Sequence, residues 1–172
     1  RAYLAGFATP PDVLVVGEAI GYQGGRFTGV PLTSERLLSA VPCLFPFTAR
    51  CTSRSGPYAE PTATVLWQAL APHRPRVFTW NAVPLHPHRP DDPLTNRTPS
   101  AMELRQFGAL LAGVYSALKP MTVVALGNSA ARSLTEAGID HVKVRHPANG
   151  GVPAFRRGIA DVLASLPPQP GL

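Results

Sequence analysis

The segment at residues 17–29 has a composition suited to binding a ligand with the backbone, because it holds five glycines in thirteen residues. Glycines let backbone N–H groups approach a bound group closely. No Gly-Lys-Ser/Thr follows the segment, and its glycine spacing is not that of the dinucleotide fingerprint, so the sequence argues against a nucleoside triphosphate or NAD. The alternative is a tight turn with a purely topological role.

A second polar segment begins at Trp80-Asn81 and continues to His86-Pro87-His88. The carboxamide of Asn81 offers a hydrogen-bond donor and an acceptor side by side, a pair that can bind the edge of a nucleobase. His86 and His88 would point to the same side of an extended chain and could bind a metal ion. No Asp, Cys or third His follows with matching spacing, so a metal site is disfavoured.

A third segment, residues 145–151, places His146 after an apolar run and directly before a proline. An imidazole titrates near neutral pH, so it can donate a hydrogen bond or exchange a proton. A lone histidine is more often structural. His146 is nevertheless expected to emerge beside Asn81 and the glycine-rich loop, which favours a functional role.

Short apolar runs predict the strands that bring these three segments together. Such runs, too short for helices and rich in Val, occur at residues 12–17, 77–80, 122–126 and 142–144. Helical signals fall between and after them, at residues 33–38, 64–70, 100–118, 129–136 and 154–166. Alternating strands and helices predict a three-layer α/β/α sandwich with a central, mostly parallel four-stranded sheet. Ligands bind beyond the carboxyl ends of such strands, so the four loops at residues 17–31, 81–98, 127–129 and 145–151, which include the three polar segments, should line one crevice.

The composition limits the size and class of the protein. The chain has 172 residues, 20 of them proline, which predicts one domain of short elements over residues 1–172 and excludes a coiled coil or a long-helix bundle. Residues 41–60 are expected to form a long irregular excursion with a surface or functional role. Residues 167–172 are expected to form a disordered tail. No apolar run approaches the roughly 20 residues that cross a bilayer, and the first residues lack the apolar stretch of a signal peptide. A cytoplasmic location without membrane contact is therefore expected.

Charge and cysteine content narrow the possible partners. The chain carries 16 Lys and Arg against 10 Asp and Glu, for a net charge of +6, which makes a polyanion such as a nucleic acid the first partner to consider. The two cysteines, Cys43 and Cys51, are too few for a disulfide framework, and their spacing matches neither a zinc nor an iron–sulfur site.

The polar segments resemble, in the same order along the chain, the motifs of the uracil-DNA glycosylase superfamily. The matching segments are residues 17–21 (its first motif), 25–29 (its uracil-stacking segment), 80–83 (its Asn motif) and 146–148 (its second catalytic motif). Residues 96–99 and 124–131 are also similar to its bacterial members, so the resemblance covers about residues 12–160. Any one motif is weak evidence, but several in the same order are strong.

The resemblance implies a DNA repair enzyme that flips uracil out of DNA, hydrolyses its N-glycosidic bond, and leaves an abasic site. In that assignment Phe27 stacks on the extruded base, Asn81 hydrogen-bonds its O4 and N3–H, and His146 donates to O2 as negative charge develops there. Cytosine presents the opposite hydrogen-bonding polarity to Asn81 and is rejected. Ala19 and Gly21 fall in the base-binding motif. The residues expected to contact DNA are Arg97, Arg145, Asn149 and Arg156.

The chain departs from the superfamily pattern at several positions. Members with Asp in the first motif use it to orient the water, but Ala19 stands there, and Glu18 is either the nearest substitute or a brace for the loop. Ile20 replaces the usual Pro, and Gly21 replaces the Tyr with which some members exclude a 5-methyl group, so exclusion of thymine stays open. Residues 149–151 replace an apolar wedge, which leaves the depth of duplex insertion open.

The expected cofactor content and the competing functions follow from the same comparison. The iron–sulfur branch of the superfamily needs four cysteines, so no cluster, no other cofactor and no metal is expected. We expect a monomer that acts on uracil-containing DNA. The first alternative is a DNA-binding paralogue that has lost turnover through Ala19 and Ile20. The second is a metal-dependent hydrolase that uses His86, His88 and His146.

Overall fold

A sheet of four parallel strands forms the centre of the protein. The computed structural model describes Tyr3, residues 10–40 and residues 51–168. The strands are β1 (Val13–Ala19), β2 (Val77–Val83), β3 (Thr122–Leu126) and β4 (Val142–Val144), in the order β2-β1-β3-β4. Every neighbouring pair is parallel. The predicted four-stranded sheet is therefore confirmed, and β3 and β4 have the predicted bounds.

The central strand β1 determines which loops meet at the carboxyl edge of the sheet. Its apolar run is completely buried because it pairs with β2 on one side and β3 on the other. The β1–β2 register sets Gly17 opposite Asn81 and Ala19 opposite Val83. The start of the glycine-rich segment therefore lies directly beside Asn81.

Helices cover the sheet. They are α1 (Gly25–Thr28), α2 (Glu35–Ala40), α3 (Pro61–Leu70), α4 (Ala101–Gln106), α5 (Gly108–Leu118), α6 (Asn128–Glu136) and α7 (Val152–Ala164), with a 3₁₀ helix at Ala71–Arg76. Helix α6 packs across β1, β2 and β3 and contacts α5, whereas α3 packs against α7, which contacts β4. The pair α5 and α6, the pair α3 and α7, and the sheet make up the predicted α/β/α sandwich.

The helix predicted over residues 100–118 is instead two helices. Its start is as predicted, because Ser100 and Glu103 form a capping box in which each side chain accepts the other's backbone N–H. At Phe107 the backbone leaves the helical region, with φ −98° and ψ 3°, while the ring packs against the core. Burial of this ring and the glycine that follows explain the break, which periodicity alone did not reveal.

Part of the predicted irregular excursion and of the predicted tail lies outside the described residues. Residues 51–60 contain no helix or strand, as expected, but residues 41–50, with Cys43, are not described. Residues 167 and 168 are irregular, whereas 169–172 lie outside the described range, so the predicted disorder stays a prediction. Within the described ranges, no helix has the length and apolar character needed to cross a bilayer.

Candidate active site

The carboxyl ends of the strands open into a cleft of about 840 Å³. All four loops that were expected to line one crevice contribute to it. Its lining includes Glu18, Ala19, Ile20 and Gly21 from the first loop, residues 96–98 from the second, residues 127–129 from the third, and His146, Ala148 and Asn149 from the last. Leu32, Glu60 and Thr62 complete part of the wall. Segments distant in sequence thus surround a space large enough for a nucleobase and its sugar.

Asn81 lies just below the wall of the cleft. Its side chain is 1% exposed, and neither Oδ1 nor Nδ2 has a hydrogen-bond partner among the described residues. A Cβ built on Gly17 would lie 2.6 Å from Asn81 Oδ1 and 2.9 Å from Leu32 Cδ2, so glycine is required there for the close approach. Leu32 lines the cleft, whereas Asn81 does not. The buried amide therefore lies close to the Leu32 side chain and outside the lining of the cleft.

The backbone holds His146 as a neutral hydrogen-bond donor. Its Nδ1 accepts the N–H of Ala148 at 3.1 Å. Burial lowers the pKa of His146 below its ordinary value, and the charge of Arg145 lowers it further. A neutral ring whose Nδ1 accepts a hydrogen bond carries its proton on Nε2. A Cβ on Gly151 would overlap the carbonyl oxygen of His146, so the tight turn after the histidine requires glycine.

Two carboxylates line the cleft in the described part of the chain, Glu18 and Glu60. Glu18 is on β1, next to Ala19, as the sequence indicated. Glu60 was missed by the sequence analysis. It precedes α3, its side chain makes no capping hydrogen bond, and burial raises its pKa to about 7. Only Pro61, a common first residue of a helix, signalled in the sequence that an element begins here.

Phe27 does not line the cleft in this structure. Its ring stacks on that of Tyr58, with centroids 4.4 Å apart and planes 11° from parallel, and the Arg26 guanidinium carbon lies 5.3 Å from its centroid. The expectation that Phe27, Asn81 and His146 together surround one open slot is thus only partly met. His146 lines the cleft, whereas Asn81 is buried beside it and Phe27 stacks on Tyr58.

A buried carboxylate holds the segment that carries Tyr58 and Glu60. Glu35 is 1% exposed and accepts hydrogen bonds from the backbone N–H of Cys51, Thr52 and Tyr58 and from the Thr52 hydroxyl, at 2.7–3.0 Å. Burial alone would raise the pKa of Glu35, but these hydrogen bonds outweigh it and the pKa is lowered. An ionised carboxylate with four donors fixes residues 51–58 against α2.

The predicted DNA-contacting residues are in different situations. Arg145 and Asn149 are exposed beside His146, and the Arg145 guanidinium bonds the His146 carbonyl oxygen at 3.2 Å. Arg97 lines the cleft but forms a bidentate pair with Glu103 at 2.7 and 2.6 Å. Arg156 is on α7, where it bonds the Gln68 side chain of α3 at 3.2 Å and does not line the cleft. The structure therefore places Arg97 and Asn149 in the lining of the cleft and Arg145 next to His146, and it leaves Arg156 apart.

The histidines of the second segment are close together but lie in a neighbouring depression. The rings of His86 and His88 are 5.4 Å apart, and His86 Nε2 bonds the carbonyl oxygen of Thr95 at 2.8 Å. Among the residues that the structure describes, no group of three or more His, Cys, Asp or Glu side chains could hold a metal ion. His146 is in the main cleft and does not join them.

The fold and the cleft define an α/β protein with a ligand site at the carboxyl edge of a parallel sheet. The family model described as the Uracil DNA glycosylase superfamily matches residues 6–170, nearly the whole chain. The chain belongs to this superfamily, which makes it a DNA glycosylase-type hydrolase of base excision repair, with DNA as its substrate. None of the curated proteins matches the chain.

Proposed function

We propose that this glycosylase excises uracil from DNA, releasing the free base and leaving an abasic site. The observation that carries the proposal is the buried Asn81 amide without a partner. An unpaired buried polar group costs the fold about 1–3 kcal/mol. Uracil would remove this cost, because its O4 accepts from Nδ2 and its N3–H donates to Oδ1, whereas cytosine would face both amide atoms with the wrong polarity.

His146 is the second proposed contact to the base. Departure of uracil leaves negative charge on the ring, and a neutral Nε2–H pointed at O2 stabilises that charge more as it grows. The lowered pKa keeps the ring neutral at pH 7, and the Ala148 N–H holds the tautomer that places the proton on Nε2. A fixed donor of this kind needs no reorganisation during bond cleavage.

Leu32 and Phe27 determine how the base would reach the amide. Leu32 packs against Gly17 next to Asn81 Oδ1 and lines the cleft, and we propose that its side chain turns aside when the base binds. We propose that Ala19, whose small side chain is in the same wall, leaves room for the ring, and that Gly21 contributes to the base site beside the Glu60 carboxyl group. The stacking role of Phe27 stays a prediction, because its ring contacts Tyr58.

The remaining assignments stay proposals. Arg97, Arg145 and Asn149 would contact DNA at the rim of the cleft, and the net charge of +6 supports binding to phosphates that weakens with salt. Arg156 could contact DNA only beyond the cleft. For Glu18 both alternatives from the sequence remain, orientation of the water or a brace for the loop. The monomeric state, the absence of a metal requirement and the cytoplasmic location are likewise predictions.

A second function has one observation in its favour. Ala19 lines the cleft where members with Asp in the first motif have a carboxylate, so a DNA-binding paralogue without turnover is the alternative. It would bind uracil-containing DNA and leave the base attached. The metal-dependent hydrolase has less support, because the three histidines it needs do not share one depression.

Release of free uracil from single- and double-stranded oligonucleotides that contain one deoxyuridine distinguishes these three candidate functions. We expect wild type to release uracil in the presence of EDTA, and Asn81→Ala and His146→Ala to lose about 100-fold or more, the range for one oxyanion-hole donor. His88→Ala, at an exposed histidine outside the cleft, is the control and should match wild type. Binding without release would favour the paralogue, and loss on chelation would favour the metal enzyme.

A further inference from the structure

The carboxyl group of Glu60 lies in the wall of the cleft and does not cap the helix that follows it. Its side chain does not cap α3 and instead reaches the glycine-rich loop. A Cβ built on Gly21 would lie 3.3 Å from Glu60 Oε1, and one built on Gly24 would overlap Oε2. The two glycines therefore create the space that the carboxyl group occupies, and any side chain at either position would have to displace it.

This carboxyl group has no structural partner in the described chain. No hydrogen bond or ion pair to it is formed there, in contrast to Glu35, which has four donors. The ionisable side chains on the elements around it are Glu18, Tyr22, Arg26, Arg36, Arg97 and His146. Burial is the cause of its raised pKa, without a contribution from any of these charges. A partly buried acid that the fold does not use is a candidate for chemistry.

Hydrolysis of an N-glycosidic bond leaves a task for such a group. The water oxygen bonds to C1′ of the deoxyribose, the C1′–N1 bond breaks, and its electron pair passes to N1 of the departing uracil. One proton of the water must then be accepted. Within the described lining of the cleft, Glu18 and Glu60 are the carboxylates that could accept it, and Ala19 cannot.

We propose that Glu60 is the catalytic residue that accepts the proton of the attacking water, an inference that rests on the proposed uracil excision. Its ionised carboxylate takes the proton as the water oxygen bonds to C1′, and it also faces the positive charge that develops on the sugar. A pKa near 7 suits this role, because at neutral pH a large fraction is ionised and the group is still a strong proton acceptor.

The test is the rate of uracil release under single-turnover conditions between pH 5.5 and 9, for wild type, Glu60→Gln, Glu18→Gln and Glu136→Gln. We expect the wild-type rate to rise with pH and level off above about pH 7. Glu60→Gln should lower that plateau by about 100-fold or more, as loss of a general base does, and remove the inflection near pH 7. Binding of an abasic oligonucleotide should change less than about threefold. Glu136, on α6 and paired with Arg132, is the control and should match wild type.

The other possible outcomes contradict the proposal. A Glu60→Gln enzyme that keeps the inflection, or loses less than tenfold, overturns the role of Glu60. Loss of the inflection in Glu18→Gln instead assigns the proton to Glu18 and also overturns it. Absence of uracil release by wild type refutes the proposed function itself, and Glu60 with it. A change only in the preference for uracil over thymine makes Glu60 a pocket-shaping residue, which contradicts the proposal.

Discussion

Replacing Glu60 by glutamine should stabilise the protein at alkaline pH, because the fold disfavours the charge of this side chain. Its pKa is about 7 in the folded chain against an ordinary value of 4.5. A carboxyl group whose pKa is raised in the folded state does not lower the free energy of unfolding below about pH 4.5, where it is protonated in both states. The loss of stability grows as the pH rises to 7 and is constant above that pH. At about 1.4 kcal/mol per pKa unit, the ionised form costs about 3 kcal/mol. Glutamine avoids this cost because it is never charged.

Urea unfolding of wild type and Glu60→Gln at pH 4.5 and pH 8 measures the effect. We expect the free energies of unfolding to be similar at pH 4.5, and the variant to be more stable by about 2–3 kcal/mol at pH 8. The melting temperature at pH 8 should rise by roughly 4–12 °C, at about 2–4 °C per kcal/mol for a chain of this size. Glu136→Gln, at an exposed ion pair, should show no such pH dependence. A Glu60→Gln protein that is no more stable than wild type at pH 8 would refute the reasoning.

Three further predictions concern the same cleft. Asn81→Leu removes a buried amide without a partner, so it should raise the free energy of unfolding by about 1–2 kcal/mol. The same variant should no longer release uracil, and a variant that keeps its activity contradicts the role of Asn81. Gly151→Ala should lower uracil release by about tenfold or more, because the added methyl group displaces His146. The control is Gly113→Ala on α5, where the methyl group meets open space. It should keep full activity and unfold at a higher urea concentration, because alanine favours a helix more than glycine does. Arg145→Gln should reduce the slope of log K for DNA against log salt by about 0.9, the value for one phosphate contact; an unchanged slope means that Arg145 does not contact phosphate.

The sheet and most helices could be predicted because their signals are local. Short apolar runs of three to six residues mark the strands, and the Ser100–Glu103 capping box marks the start of a helix whatever the rest of the chain does. The break at Phe107 could not be read in this way, because it depends on packing of the ring against the core. Two helices that share one periodicity look like one helix in the sequence.

The site was predictable where it depends on strand ends and not where it depends on side-chain packing. Residues at or just after the strand ends, such as Ala19 and His146, meet in one cleft because parallel strands end at the same edge. The proximity of Leu32 to Asn81 and the contact of Phe27 with Tyr58 arise from segments far apart in sequence. Glu60 follows an irregular segment without periodicity, so no pattern connects it with the glycine loop that it contacts.

A crystal structure of the protein with free uracil tests the central claim most directly, because it shows whether one pyrimidine joins the amide and the imidazole. We predict Asn81 Nδ2 at about 3 Å from O4, Asn81 Oδ1 at about 3 Å from N3, and His146 Nε2 at about 3 Å from O2, as in ordinary hydrogen bonds. Leu32 should be turned away from Gly17. Uracil bound elsewhere in the protein, or in the cleft without contact to Asn81, would contradict the account.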